Sequence, residues 1–325
     1  MSPAVSASEC QVEVTANRAI AASYFSMRLA GPARLARFRP GQFLMLGWTD
    51  GRDPLLPRAM SIRRARLGVR GAGCEVEILY KVCGRGTALL AAMRPGRSLR
   101  VLGPLGNGFD IPRKVTGVVL IAGGVGVPPI TALVETLANR KAARRIAVTV
   151  LLGGRSKADL LCVSDLRRAG ATVHMATEDG SIGHKGLVTE LLEQHLNSMN
   201  LAPSPKSPRF KSPRTPLYKE GTGGISVGVG GIYACGPHPM LAALAPIAEK
   251  YNLPYQASLE ANMACGFGAC MGCVVPVKGD ERERSYRLVC KDGPVFDGRE
   301  ILWDQHATKC EAQGAGCVKA EGQGV

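Results

Sequence analysis

The stretch Val115-Thr116-Gly117-Val118-Val119-Leu120-Ile121-Ala122-Gly123-Gly124-Val125-Gly126-Val127-Pro128-Pro129-Ile130-Thr131-Ala132-Leu133-Val134 has no charged residue and is long enough to cross a membrane. Its interior argues against a crossing. Gly123, Gly124, Gly126, Pro128 and Pro129 fall in the middle, where an isolated spanning helix would lose propensity and backbone hydrogen bonds. A buried strand over 118–122, a glycine turn and a helix over 130–139 fit better, so no membrane partner is expected. The glycine turn then sits at the carboxyl end of a first parallel strand, where doubly wound sheets bind nucleotides. It lacks the full dinucleotide fingerprint, and by itself it is equally compatible with plain chain reversal.

Outward from this stretch the rhythm of strand and helix continues. Strands are expected at 146–152, 172–177, 232–235 and 255–259, and helices at 158–169, 188–196 and 239–251, which predicts a doubly wound parallel α/β domain over 115–259. The segment 203–231 interrupts it with repeated Ser-Pro steps, basic residues and no apolar period, so we expect a disordered insertion. On the N-terminal side, apolar runs at 24–29, 42–48 and 75–82 are punctuated by Pro40-Gly41 and Pro95-Gly96. Six or so short strands at that spacing predict a small antiparallel β-barrel over 1–114. A small glycine- and cysteine-rich module spans 260–303, and 304–325 reads as a tail.

Totals bound the partners. The 325 residues are 46% hydrophobic and 21% charged, which is ordinary globular usage. A formal charge of +15 raises nucleic acid as a partner, yet most of the excess is scattered through the patterned strands of 1–114 and forms no aromatic-interleaved stripe. A surface for phosphates or an acidic protein fits better, and no nucleic-acid partner is expected. The N-terminus shows no basic segment followed by an apolar run, so a cytoplasmic chain with reduced thiols is expected. Its 11 cysteines are then metal ligands or core thiols before they are disulfides.

Four of them stand out. Cys265, Cys270 and Cys273 follow a C-x4-C-x2-C spacing, with Cys290 sixteen residues further on, which is the plant-type pattern for a [2Fe-2S] cluster. Gly266, Gly268, Ala269 and Gly272 let the backbone fold closely around such a group. Structural zinc is the competing reading, although zinc sites more often show two short-spaced pairs.

Phosphate chemistry is suggested at two further places. Arg58-Ala59-Met60-Ser61 on a barrel strand, with Leu79-Tyr80-Lys81 and Gly84-Arg85-Gly86-Thr87, offers a guanidinium fork and a glycine turn opening a helix. Cys235-Gly236-Pro237 ends a late strand much as Gly123, Gly124 and Gly126 end the first, so the two turns should line one crevice. Asp179, with its neighbour Glu178, follows the strand at 172–177, where a carboxylate would accept a ribose 2′-OH and repel a 2′-phosphate. The five histidines are dispersed, and no His pairs with Ser or Cys at a suggestive spacing.

This combination of motifs resembles the ferredoxin reductase-like flavoproteins. Ala264 to Cys273 and Val289-Cys290-Lys291-Asp292-Gly293-Pro294 resemble, more narrowly, the electron transfer subunits of NAD-dependent dihydroorotate dehydrogenase B. The resemblance covers about residues 10–303 and implies an FAD-binding barrel, an NAD-binding domain and a [2Fe-2S] module. It implies that Arg58, Ala59, Met60, Ser61, Leu79, Tyr80, Lys81, Gly86 and Thr87 contact FAD, with Ser61 near the reactive flavin nitrogen as the candidate catalytic residue. It also implies that Cys265, Cys270, Cys273 and Cys290 ligate the cluster, and that NAD is the electron acceptor.

The implied partner is an FMN-containing catalytic subunit in a heterotetramer of two of each, serving pyrimidine (UMP) biosynthesis. A reductase subunit serving ferredoxin or a hydrogenase would share the same motifs, and a zinc-stabilised nucleotide-binding regulator is the alternative of another class. Three features depart from the family pattern: Ala59 in place of a proline, the insertion 203–231, and a tail bearing Cys310 and Cys317.

Overall fold

A computed structural model describes residues 8–49, 53–68, 72–112, 115–139, 146–199, 201, 229–279 and 285–303. The first six strands are β1 (Ser8–Ala21), β2 (Tyr24–Gly31), β3 (Phe43–Trp48), β4 (Arg58–Leu67), β5 (Cys74–Lys81) and β6 (Ser98–Leu105). They close an antiparallel barrel in the order β1-β2-β5-β4-β3-β6, with α1 (Arg85–Ala91) between β5 and β6. Closure removes the exposed edges that a sheet of this size would otherwise present. Alternate residues point inward, so Val12, Val14, Met27, Leu29, Leu44, Leu46, Ile62, Val76 and Ile78 fill the barrel.

The remainder forms one seven-stranded sheet and a two-stranded ribbon. The sheet contains β7 (Gly117–Gly123), β8 (Ala147–Gly154), β9 (Thr172–Thr177), β10 (His184–Lys185), β11 (Ile232–Cys235), β12 (Tyr255–Ser258) and β15 (Val295–Asp297), in the order β10-β9-β8-β7-β11-β12-β15. The ribbon pairs β13 (Val274–Val277) with β14 (Ser285–Leu288). Helices α2 (Val127–Ala138), α3 (Val163–Arg168), α4 (Val188–Ser198) and α5 (His238–Lys250) follow β7, β8, β10 and β11. Strand β7 is buried along its whole length, as a central parallel strand must be, and Pro128 and Pro129 occupy the first turn of α2, where a missing N–H costs nothing. Strand order reverses between β7 and β11, so the crevice that suits a nucleotide opens at their carboxyl ends.

Two expectations are corrected. A helix over 158–169 is replaced by a 3-10 turn at Lys157–Asp159, an irregular Leu160-Leu161 and the short α3. The helix cannot run through because Cys162 adopts a left-handed φ of 61° and Leu161 turns into the core. The insertion expected over 203–231 ends earlier: Val229 is buried and the Gly230 N–H donates to the Gly117 carbonyl at 2.7 Å. The rest of it, 203–228, lies outside the described residues, as does the tail 304–325. The cysteine-rich module also extends the sheet, because its β15 runs antiparallel to β12.

Barrel and sheet are fastened by charge as well as by packing. Arg63 of β4 reaches Glu77 of β5 and Asp165 of α3, and Arg64 engages Glu135 of α2. Among the described residues no helix is long and apolar enough to cross a membrane.

Candidate functional site

The barrel edge presents the phosphate candidates together. The Arg58 guanidinium lies over the Trp48 ring at 5.9 Å, donates to the Leu56 carbonyl at 2.9 Å and packs directly on Gly86, where a Cβ would overlap it. The Thr87 hydroxyl accepts the N–H groups of Cys83 at 3.0 Å and Gly84 at 3.2 Å, holding the glycine turn in shape. Arg58 and the opening turn of α1 therefore form one cationic corner with free backbone donors, the chemistry a pyrophosphate requires. Ser61 is half-buried and its hydroxyl makes no hydrogen bond among the described residues. Met60 packs at the rim of the barrel core, whereas Ala59 packs against the core that contains Cys273 and Cys290.

Strand β5 contributes unevenly. Leu79 is buried against the sheet domain. The Tyr80 side chain is committed to the barrel, stacking on Phe25 at 5.7 Å and donating to Asn17 at 3.0 Å, so only its backbone is available to a ligand. Lys81 extends its ammonium over the Tyr24 ring at 5.1 Å. Tyr24, a residue the motifs did not flag, donates to Asp159 at 2.9 Å, and burial together with that carboxylate pushes its phenol up to about 12.

Between this edge and the carboxyl ends of β7, β8 and β11 lies a cleft of about 490 Å³. Tyr24, Lys81, Gly123, Gly124, Arg155, Glu178 and Glu260 line it, as do Pro237 and Met240. Gly126, Cys235 and Gly236 sit just behind the wall. A Cβ on Gly126 would overlap the Cys235 carbonyl, so the glycine is what lets the two strand ends close on each other. Cys235 is buried and its thiol is pushed far up by desolvation, which makes it a neutral packing group and no nucleophile.

Of the two carboxylates expected in this cleft, Glu178 lines it. Asp179 accepts the Ser181 N–H at 2.9 Å within its own turn and does not line the cleft. Glu260 was missed altogether. Its signal was available, since it lies just beyond the carboxyl end of β12.

The four clustered cysteines lie as two neighbouring pairs, in a loop that rests on β3. The Cys270 N–H points to the Cys265 sulfur at 3.5 Å, and the Cys290 N–H to the Cys273 sulfur at 3.4 Å. Desolvation opposes ionisation of Cys265, but hydrogen bonds from the backbone of Cys270, Phe267 and Ala269 prevail and hold its thiol at about 6. Burial and the neighbouring Cys273 and Cys265 sulfurs push Cys290 up. The sulfurs thus couple as two pairs, Cys265 with Cys270 and Cys273 with Cys290, in a loop that aims N–H groups at sulfur. That donor set fits a two-iron cluster, each iron taking one pair of thiolates. Among the described residues no three His, Cys, Asp or Glu side chains are already gathered as a metal-holding group.

The loop is also fixed in place. Gly266 has a φ of 82° and lies so close to Met45 of β3 that a Cβ would overlap that side chain. Met45 is the cross-strand partner of Ala59, and Phe43 that of Ser61. Asn107, just after β6, ties the barrel to the module through the Lys291 and Asp292 carbonyls at 3.3 and 3.0 Å.

Comparison with known proteins agrees with this geometry. Residues 260–302 match the iron-sulfur cluster binding domain of dihydroorotate dehydrogenase B, and residues 120–245 match the oxidoreductase NAD-binding domain. The dihydroorotate dehydrogenase B (NAD(+)) electron transfer subunit of Bacillus caldolyticus is 35% identical over 295 residues, covering 90% of this chain and 98% of the relative. The chain belongs to this family. The corresponding subunit of Desulforamulus reducens is 33% identical over 287 residues, covering 88% of this chain and 95% of that one.

Among solved structures, a chain of an NADH-dependent reduced ferredoxin-NADP oxidoreductase superposes with a TM-score of 0.71 at 24% identity, covering 93% of both chains. A ferredoxin NADP+ reductase from Neisseria gonorrhoeae gives 0.51 at 17% identity, covering 72% of this chain and 88% of that one. These two likenesses show the ferredoxin reductase-like fold. Family membership supports the dihydroorotate dehydrogenase B electron transfer reading over the zinc-stabilised regulator, ferredoxin and hydrogenase alternatives.

Proposed function

We propose that this chain receives electrons at a [2Fe-2S] cluster held by Cys265, Cys270, Cys273 and Cys290 and delivers them to NAD+ through FAD. The observation that carries the reading is the contact of Gly266 with Met45, because it presses the cluster loop onto the strand paired with Arg58 to Ser61. When bound, FAD exchanges electrons singly with a cluster and in pairs with nicotinamide, the conversion that joins a one-electron to a two-electron carrier. Arg58, with the backbone of Gly86 and Thr87, holds the pyrophosphate. Ser61 places its uncommitted hydroxyl beside the flavin ring, and the backbone of Leu79, Tyr80 and Lys81 borders it on β5.

NAD enters the cleft at Gly123 and Gly124, with Gly126, Cys235 and Gly236 shaping the wall and Glu178 at the far strand end. Glu178 excludes a 2′-phosphate by like charge. The domain division that supports this reading is a flavin barrel over 1–114, a nucleotide domain over 115–259 and a cluster module over 260–303.

The electron donor is a separate catalytic subunit that carries FMN, oxidises dihydroorotate and assembles with this chain as two of each. Around the cluster loop, Phe267 and Met271 are 55% and 62% exposed, and Tyr286 is 60% exposed. An apolar rim of that kind beside the cluster is the surface such a subunit would cover. We place the complex in the cytoplasm, where reduced cysteines able to ligate a cluster persist. The test is direct. The purified chain should oxidise NADH with an artificial acceptor and form no orotate until the catalytic subunit is added. Orotate made by the isolated chain would refute the division of labour.

A further inference from the structure

A second cavity, of about 490 Å³, opens where the outer wall of the barrel meets the segment from Leu160 to Asp165, and it shares no lining residue with the nucleotide cleft. Its volume is that of a small-molecule site. Arg63 forms its charged floor, with a side chain only 7% exposed. The two terminal nitrogens of Arg63 are taken by Glu77 and Asp165, yet its Nε is buried with no hydrogen-bond partner. A buried guanidinium N–H without an acceptor is destabilising and rare, so Arg63 is left under-satisfied by its protein partners at the cavity floor.

Charge at the mouth points the same way. Arg18 and Arg28 both line the cavity from β1 and β2; Arg18 has no ion pair among the described residues, and Arg28 meets only Glu75, at 3.7 Å across exposed surface. The two carboxylates in the lining, Glu77 and Asp165, are already engaged by Arg63, and Ser26 donates a further hydrogen bond to Glu77 at 2.8 Å. What remains uncommitted is donor capacity and positive charge. One wall is drawn from the segment in which Cys162 holds its left-handed φ of 61°, a conformation that costs energy for any residue but glycine.

We propose that this cavity is a binding site for a small organic phosphate, its oxygens held by Arg18 and Arg28 over the positive charge of Arg63, and its body lying on the aliphatic wall. Arginine forks suit phosphate oxygens, and the space exceeds what a bare inorganic ion would fill. Because one wall belongs to the barrel and the other to the nucleotide domain, an occupant bridges the two domains. The site stands independently of the electron-transfer reading.

Calorimetric titration of the FAD- and cluster-loaded protein with ribose 5-phosphate, in saturating NAD+ so that the cleft is filled, tests it. Saturable binding is expected, at least about tenfold tighter than for inorganic phosphate or for ribose. The double variant R18A/R28A should weaken it about tenfold or more, and Ala16→Phe, which fills the cavity from β1, should abolish it. Flavin content and NADH oxidation with an artificial acceptor should stay unchanged in both, which separates failure of this site from failure of the electron-transfer reading. No saturable heat, inorganic phosphate binding as tightly as ribose 5-phosphate, or affinity unaffected by both sets of substitutions would overturn the proposal.

Discussion

Replacing Gly266 with alanine tests the route from cluster to flavin at its narrowest point. The backbone there has a φ of 82°, a left-handed conformation that costs a residue with a Cβ roughly 1–2 kcal/mol. The new methyl would also meet Met45, which is 2% exposed and so has little room to yield, adding about 1–3 kcal/mol of overpacking. Together these make roughly 2–5 kcal/mol, enough to lift the loop off β3 and not enough to unfold a domain of this size.

The expected result is a protein that keeps its flavin but transfers electrons from cluster to flavin slowly, read by stopped-flow reoxidation of the dithionite-reduced holoprotein. Trimming the opposing side chain separates the two contributions. Gly266→Ala combined with Met45→Ala should recover the steric part and leave the backbone part, a coupling measurable by a double-mutant cycle. Wild-type transfer rate, cluster content and thermal midpoint in Gly266→Ala would refute the reasoning, because they would mean that the loop does not bear on β3.

Three other outcomes are expected. Cys270→Ser should abolish a centre of about two irons and two acid-labile sulfides per chain, and one zinc per chain after anaerobic purification with no iron-sulfur spectrum on reconstitution would exclude it. Glu178→Gln should narrow the preference for NADH over NADPH by removing a like charge from the cleft; equal turnover of both by the unaltered protein would show that Glu178 does not select. Excising 203–228 should leave FAD, cluster and NADH oxidation intact, since that segment has too little apolar content to offset its ordering entropy, and loss of flavin on deletion would show it to be structural.

Periodicity alone determined much of this protein. The all-apolar run ending in Gly123 could only be a buried strand, and the bounds expected for β9 and β11 coincide with those observed. Cysteine spacing was equally legible, because three ligands on one tight loop are a local property of the chain. What stayed hidden depended on which way neighbouring residues face and on contacts between distant segments.

Glu178 and Asp179 are adjacent carboxylates, and only the turn that gives the Ser181 N–H to Asp179 decides which one meets the cleft. Leu160 and Leu161 fit a helical period, yet Leu161 is drawn into the core and Cys162 breaks the helix with a left-handed backbone. The joining of Gly266 to Met45 spans more than two hundred residues and leaves no periodic trace in either segment. Local sequence sets strand, turn and ligand spacing through short-range sterics and apolar alternation. The approach of the cysteine loop to β3 arises only when the barrel closes and β15 docks on β12.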